Sequence, residues 1–246
     1  MSRKPSVQLY SVREAVQSDL AAAVARLAEI GFEQVEPYGF HERTADYAAA
    51  FKAAGVSAPS GHAAVIDSET PEAIFEAANA LGITTVIDPF VPTQRWQSAD
   101  DVARLAERVN TLSALAHEYV LDFGYHNHQW ELENTVDGRP VLELFADQLE
   151  PAVVLEVDTF WATVGGADTP ALLKALGDRV RFIHVKDGAK STDTSLQQPA
   201  GQGDVDVAGI LAAAPQALRV VEFDAYAGDV FDGIAQSLAW LKENDR

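Results

Sequence analysis

The sequence predicts a single (β/α)₈ barrel, and three observations carry that expectation. Eight short runs rich in β-branched residues each precede a longer run rich in alanine and leucine, from one end of the chain to the other. The chain has 246 residues, a length that one such barrel occupies as a single domain spanning residues 1–246. Six of the eight strand-like runs end on a residue able to ligate a metal or move a proton, and barrels of this class carry their sites at the C-terminal ends of the strands.

The elements follow in order. Val7 to Tyr10 is the first strand, and Asp19 to Ile30 its helix, with apolar positions three and four apart and Gly31 as the stop. Gln34 to Glu36 begins the second strand, and Ala45 to Ala54 is a helix ended by Gly55. Val56 to His62 is the third strand; its helix, Thr70 to Leu81, has Pro71 at the first helical position. Ile83 to Asp88 is the fourth strand, and a long helix from Ser98 to Tyr119 begins at a Ser/Asp cap. Val120 to His126 precedes a helix at Pro140 to Gln148, and Val153 to Asp158 precedes one at Thr169 to Leu176, ended by Gly177. Val180 to Lys186 precedes Val207 to Ala214, and Leu218 to Phe223 precedes the closing helix, Val230 to Lys242.

Strands that alternate with helices imply parallel pairing, because each helix returns the chain to the same edge. An open doubly wound sheet is the runner-up. It is weakened by the first strand, which leads into Ser11-Val12-Arg13-Glu14 and not into a glycine-rich phosphate turn. The longest irregular segment, Gly188 to Asp206, follows the seventh strand and is expected to be a lid or substrate loop on the site's face.

Composition excludes several chemistries. There are no cysteines, which removes disulfides, thiolate metal sites and cysteine nucleophiles. A net charge of −19 repels phosphate backbones and anionic lipid, so neither nucleic acid nor membrane is an expected partner. Hydrophobic residues make up 48%, enough to build a core and too many for disorder. Met1 to Leu9 holds no long apolar segment and no stretch approaches a membrane span, so a soluble cytoplasmic protein, free to form a homo-oligomer, is the default expectation.

Carboxylates crowded at a barrel mouth repel one another unless a cation or protons offset the charge. Glu36, His62, His126, His128, Asp158, His184, Lys186, Asp187, Glu222 and Asp224 all stand at or just beyond strand ends. Mixed carboxylate and imidazole ligation of one divalent ion resolves that repulsion, and suits Mn²⁺, Zn²⁺, Co²⁺ or Fe²⁺ better than Mg²⁺. Asp158, His184 and Glu222 occupy matching positions on three successive strands and form the firmest part of this set. Alternation puts His126 and His128 on one side of the fifth strand. Asp88, before Pro89, reads as a turn former, and His41 and His117 as solvated. Lys186 pairs with Asp158 or Asp187, or else carries a proton. Trp96, Trp130 and Trp161 follow strand ends and serve either as core or as an aromatic floor under a sugar ring; Trp240 reads as core.

With these residues in place the sequence resembles the xylose-isomerase-like barrels, the sugar phosphate isomerase/epimerase family, over essentially its whole length. The resemblance is carried by Val7-Gln8-Leu9-Tyr10-Ser11-Val12-Arg13, Gly31-Phe32-Glu33-Gln34-Val35-Glu36, Tyr125-His126-Asn127-His128, Asp158-Thr159-Phe160-Trp161, Ile183-His184-Val185-Lys186-Asp187, Gly201-Gln202-Gly203-Asp204-Val205-Asp206 and Val221-Glu222. In epimerase members the metal is held by a glutamate on strand five, an aspartate on six, a histidine on seven and a glutamate on eight. By position the last three fall on Asp158, His184 and Glu222, and the fifth-strand position falls on His126, with His128 two residues on. That histidine departs from the pair of glutamates that flank the substrate in an epimerase.

The resemblance implies proton abstraction next to a carbonyl through a metal-stabilised enediolate, with Glu222 as base and His62, His128 or Lys186 as the second acid. Glu36 and Trp161 are the expected substrate contacts, and the substrate a carbohydrate or cyclitol. Isomerisation or epimerisation is the first expectation. A metal-dependent lyase or dehydratase of keto-sugars or inososes is the alternative, favoured by the fifth-strand histidine. A DNA-repair endonuclease fits poorly with six histidines and a charge of −19; a non-catalytic sugar-binding barrel is the remaining class.

Overall fold

The structure, a computed structural model, describes residues 4–245. Its strands are short and buried on both faces, and they pair in parallel. Their order around the sheet is Ser6–Val7, Leu218–Val221, Val180–Val185, Val154–Asp158, Asp122–His126, Thr85–Asp88 and Ser60–His62. The second of the eight expected strands is reduced to isolated bridges, Gln8 to Glu36 on one side and Gln34 to Ser57 and Tyr38 to His62 on the other. Those bridges join the last strand of the sheet to the first, so the ring closes and the open-sheet alternative falls.

The first strand stops earlier than expected. The side-chain carbonyl of Gln8 accepts from the Tyr10 amide at 3.0 Å and turns Leu9–Val12 into a 3₁₀ helix. The helices begin and end close to where their caps predict. Asp19 accepts from the Ala22 amide ahead of Leu20–Ile30, and Ser98 from the Asp101 amide ahead of Ala99–Glu118. Gly31, at φ 113°, lets the chain leave its helix in a left-handed conformation. No helix among the described residues is long and apolar enough to cross a membrane.

Two apolar clusters hold the fold. The larger lies between strands and helices; the smaller, Ile87, Val154, Phe182 and Val220, comes from four strands and plugs the barrel. Gly124 belongs beneath this plug's edge, because a Cβ there would come within 2.6 Å of the Val154 backbone oxygen and 2.8 Å of Ile87. Strand side chains alternate in direction. Two residues beyond Val154, Phe182 and Val220 therefore stand Glu156, His184 and Glu222, and two further on stand Asp158 and Lys186. The apolar plug is thus roofed by titratable groups.

Residues 188–206 are more ordered than the expected open loop. Asp187–Gly188 pairs antiparallel with Gln197–Gln198. The Asp187 carboxylate gathers the amides of Gly188, Gly201 and Val205 at 2.8, 2.9 and 3.1 Å. Gly203 packs so closely on Gly188 that any side chain would collide with its backbone nitrogen.

Candidate active site

The titratable groups form two layers. In the lower one, Glu36 receives Gln8 Nε2 at 2.8 Å, the Ser60 hydroxyl and His184 Nε2 at 2.9 Å. One oxygen of Glu156, Oε2, meets three imidazoles: His62 Nε2 at 2.5 Å, His126 Nδ1 at 3.1 Å and His184 Nε2 at 3.1 Å. All seven side chains are buried. Burial opposes ionisation of Glu156, but His184 and His62 outweigh it and hold the carboxyl well below the usual range. Glu36 is pushed up, first by burial and then by the Glu156 charge.

The upper layer opens toward solvent. Lys186 Nζ lies 2.8 Å from Asp158 Oδ2, 2.6 Å from Glu222 Oε2 and 2.9 Å from Asp224 Oδ2. His184 Nδ1 also reaches Glu222 Oε2, at 2.6 Å. Burial works against both charges of the Lys186–Glu222 pair. The three carboxylates nevertheless hold the ammonium well above its ordinary value, and Lys186 and His184 hold Glu222 well below its own. For Asp158 the balance tips the other way, and burial lifts it to about 6 despite Lys186.

His126 and His184 straddle the layers. His184 presents Nε2 downward and Nδ1 upward; His126 turns Nδ1 to Glu156 and Nε2 to Asp158 Oδ2, 3.7 Å away. Burial and the neighbouring His184 keep His126 well below its ordinary pKa, and hence neutral. His62 and His184 are raised in spite of burial by the carboxylates around them.

Above lies a cavity of about 510 Å³, whose lining includes His62, His126, His128, Lys186, Glu222 and Asp224. His128 stacks on Trp130 with ring centroids 4.3 Å apart and planes at 5°. Burial drops its pKa to about 4. Its backbone amide is held by Glu131, which also accepts from the Tyr125 hydroxyl at 2.5 Å and is lifted by burial to about 7.

The sequence-predicted residues fall into place unevenly. His62, His126, His128, Lys186 and Glu222 reach the cavity. Asp158 and His184 lie immediately behind it. Glu36 is enclosed in the lower layer, where it holds His184 and does not line the cavity. Trp161 is buried in the core beneath Lys186, whose ammonium is 5.7 Å from its ring. Lys186 pairs with Asp158 as expected but not with Asp187, which points into the loop that it organises. Asp88 is the anticipated turn former, accepting from the amides of Val65, Ile66 and Phe90. His41 lines the cavity and is not simply solvated. Glu156 was not singled out, although the alternation that places Asp158 inward places Glu156 inward as well.

Two groups bring ligand atoms within 4.8 Å of one another: Asp158, His184 and Glu222; and His62, His126, Glu156 and His184. The donor chemistry fits a divalent ion held by nitrogen and carboxylate oxygen. Asp158 Oδ2 is buried and accepts no well-directed hydrogen bond, meeting only the ion-paired ammonium; Glu156 Oε1 is likewise unpartnered. The described residues therefore contain a buried His/Glu/Asp group able to bind a metal.

The fold has solved counterparts. The chain is similar to a sugar phosphate isomerase/epimerase from Parabacteroides distasonis, at 22% identity and a TM-score of 0.83, covering 98% of this chain and 94% of that one. It is also similar to AsbF of Bacillus anthracis, a probable 3-DHS dehydratase, at 13% identity and a TM-score of 0.75, covering 98% and 99%. A third counterpart is the IolI protein with a bound zinc atom, at 16% identity and a TM-score of 0.76, covering 99% and 98%. At these identities the likeness is one of fold. No curated protein matches the sequence. A family model, that of the xylose isomerase-like TIM barrel, matches residues 24–244, and the chain belongs to that family.

Proposed function

We propose that the chain is a divalent-metal-dependent sugar isomerase or epimerase acting by proton abstraction next to a carbonyl. The observation that carries this reading is the convergence of Asp158, His184 and Glu222, with one oxygen of Asp158 met at short range by the Lys186 ammonium alone, where Glu222 borders a cavity of about 510 Å³. His126 supplies the fourth ligand, since its Nε2 lies 3.7 Å from Asp158 Oδ2. The mixed donors favour Mn²⁺, Zn²⁺, Co²⁺ or Fe²⁺. When bound, such an ion would polarise a carbonyl and the adjacent hydroxyl, acidify the C–H between them and stabilise the enediolate oxygen.

The chain's own groups do the rest. Glu222 is held ionised by Lys186 and His184 and borders the cavity, so it takes the proton. Lys186 stays charged 2.6 Å from Glu222 and donates toward oxygen where negative charge grows. His62, raised in spite of burial by the Glu36 and Glu156 carboxylates, is placed to return a proton, and His128, neutral with an unpartnered Nδ1, can relay one by accepting at one nitrogen and donating from the other. Return to the neighbouring carbon gives isomerisation; return from the opposite face gives epimerisation. Glu36 orients His184 from below and Trp161 supports Lys186, one layer behind the substrate.

One observation favours a second reading. The fifth-strand donor nearest the group is the imidazole of His126, so the second carboxylate of a symmetrical epimerase is missing. If a β-hydroxyl leaves after proton removal, the same residues make a metal-dependent lyase or dehydratase of keto-sugars or inososes.

Solvent deuterium uptake into candidate ketoses by the metal-loaded protein tests the mechanism, and product analysis separates the outcomes. Uptake is expected in the wild type and abolished in Glu222→Gln. Uptake that survives the substitution removes Glu222 as the base.

A further inference from the structure

The cavity above Glu222, at about 510 Å³, holds more than one sugar ring. Its outer wall is aromatic. Tyr10 and Tyr38 meet edge to face with centroids 5.5 Å apart, and Phe90 meets His128 and Trp130 edge-on at 5.7 and 5.5 Å. Phe90 is 54% exposed and Tyr10 42%, and both border the cavity. Arg13 lies over the Tyr10 ring at 4.6 Å, so Phe90 is the rim aromatic positioned to cover the apolar face of a ligand ring, with Tyr10 beside it.

The charges lining the same space disfavour a phosphate, although the Arg13 guanidinium stands just outside it, 4.6 Å over the Tyr10 ring. Glu42, Glu222 and Asp224 line it, and its lone lysine is already held by three carboxylates. No arginine lines it. Two lining imidazoles, His41 and His128, each have a buried Nδ1 without a hydrogen-bond partner. Neutral hydroxyl groups satisfy such atoms without bringing charge.

We propose that Tyr10, Tyr38, Phe90 and His128 form a second subsite that takes the outer ring of a neutral glycoside, so that the substrate is a keto-sugar carrying a glycosidically linked ring and not a free or phosphorylated sugar. The inference rests on the reading above for the inner ring. The outer ring stacks on Phe90 and packs beside Tyr10, while the inner ring sits over Glu222.

Calorimetric titration of the Mn²⁺-loaded protein tests this with methyl glucopyranoside, phenyl glucopyranoside in both anomers, cellobiose and glucose 6-phosphate. A two-ring probe is expected to bind about tenfold tighter than the methyl glycoside, with glucose 6-phosphate weakest. Whether the phenyl glycoside or cellobiose leads tells an aryl ring from a sugar ring. Phe90→Ala and Tyr10→Ala, both truncations of exposed side chains, are expected to bring the ratio near one. Equal affinities, tighter binding of the phosphate, a preference that survives both variants, or no binding of any probe overturns the proposal. Deuterium uptake reports separately on the inner site. Uptake into free ketoses with no ring preference sinks the subsite alone, and ring preference without uptake into any keto-sugar sinks the reading of the reaction alone.

Discussion

The two acid layers of the barrel contain similar residues and are built for different ends. The lower layer, Glu36 and Glu156, is enclosed; its charge is met by Gln8, Ser60 and three imidazoles fixed on three strands of the barrel. The upper layer, Asp158, Glu222 and Asp224, borders a cavity and shares one ammonium, with His184 also at Glu222 and Gln197 at Asp224. In each, one carboxyl is raised and one lowered. A ring of imidazoles keeps a buried charge where it is, whereas carboxylates that converge on one ammonium mark a place that another cation can take.

The largest expected effect lies in the lower layer. Glu156→Gln removes the charge that three imidazoles surround, and urea denaturation of the metal-free protein is expected to show a loss of about 3 kcal/mol or more. A loss below that of Asp158→Asn would erase the distinction between the layers.

Glu131 supplies an intermediate case, a buried carboxyl whose hydrogen bonds come from the Tyr125 hydroxyl and the His128 amide. Burial lifts it from an ordinary value of 4.5 to about 7. Between those values the folded protein holds the proton and the unfolded chain does not. Stability from this group is present below pH 4.5 and is lost as pH rises through about 7, by up to about 3 kcal/mol. Wild type and Glu131→Gln compared across pH 5 to 8 check this; parallel curves contradict it.

The smallest effect is expected at Asp158. Its carboxyl is raised to about 6, so its charge is held at a cost. Asp158→Asn keeps the oxygen that caps the Trp161 amide. It is expected to change metal-free stability by less than about 1 kcal/mol, or to raise it, as thermal denaturation would show.

Much of this was legible before the fold. Caps and stops such as Asp19, Ser98 and Gly31 located helices, and short β-branched runs located the strand ends that carry Asp158, His184 and Glu222. Period-two alternation, followed strictly, points to Glu156 and turns Asp187 away from Lys186. The second strand was harder to read, because Pro37 lacks an amide and the stretch pairs through isolated bridges alone. Tyr10, His41 and Phe90 reach the cavity from turns whose paths depend on tertiary contacts, and no periodicity reports those.

The central claim, a divalent ion at Asp158, His184 and Glu222, is tested most directly by metal content. Equilibrium dialysis against Mn²⁺ or Zn²⁺, followed by elemental analysis, is expected to give one ion per wild-type chain and far less in Asp158→Ala and His184→Ala. Undiminished metal in both variants would contradict the account.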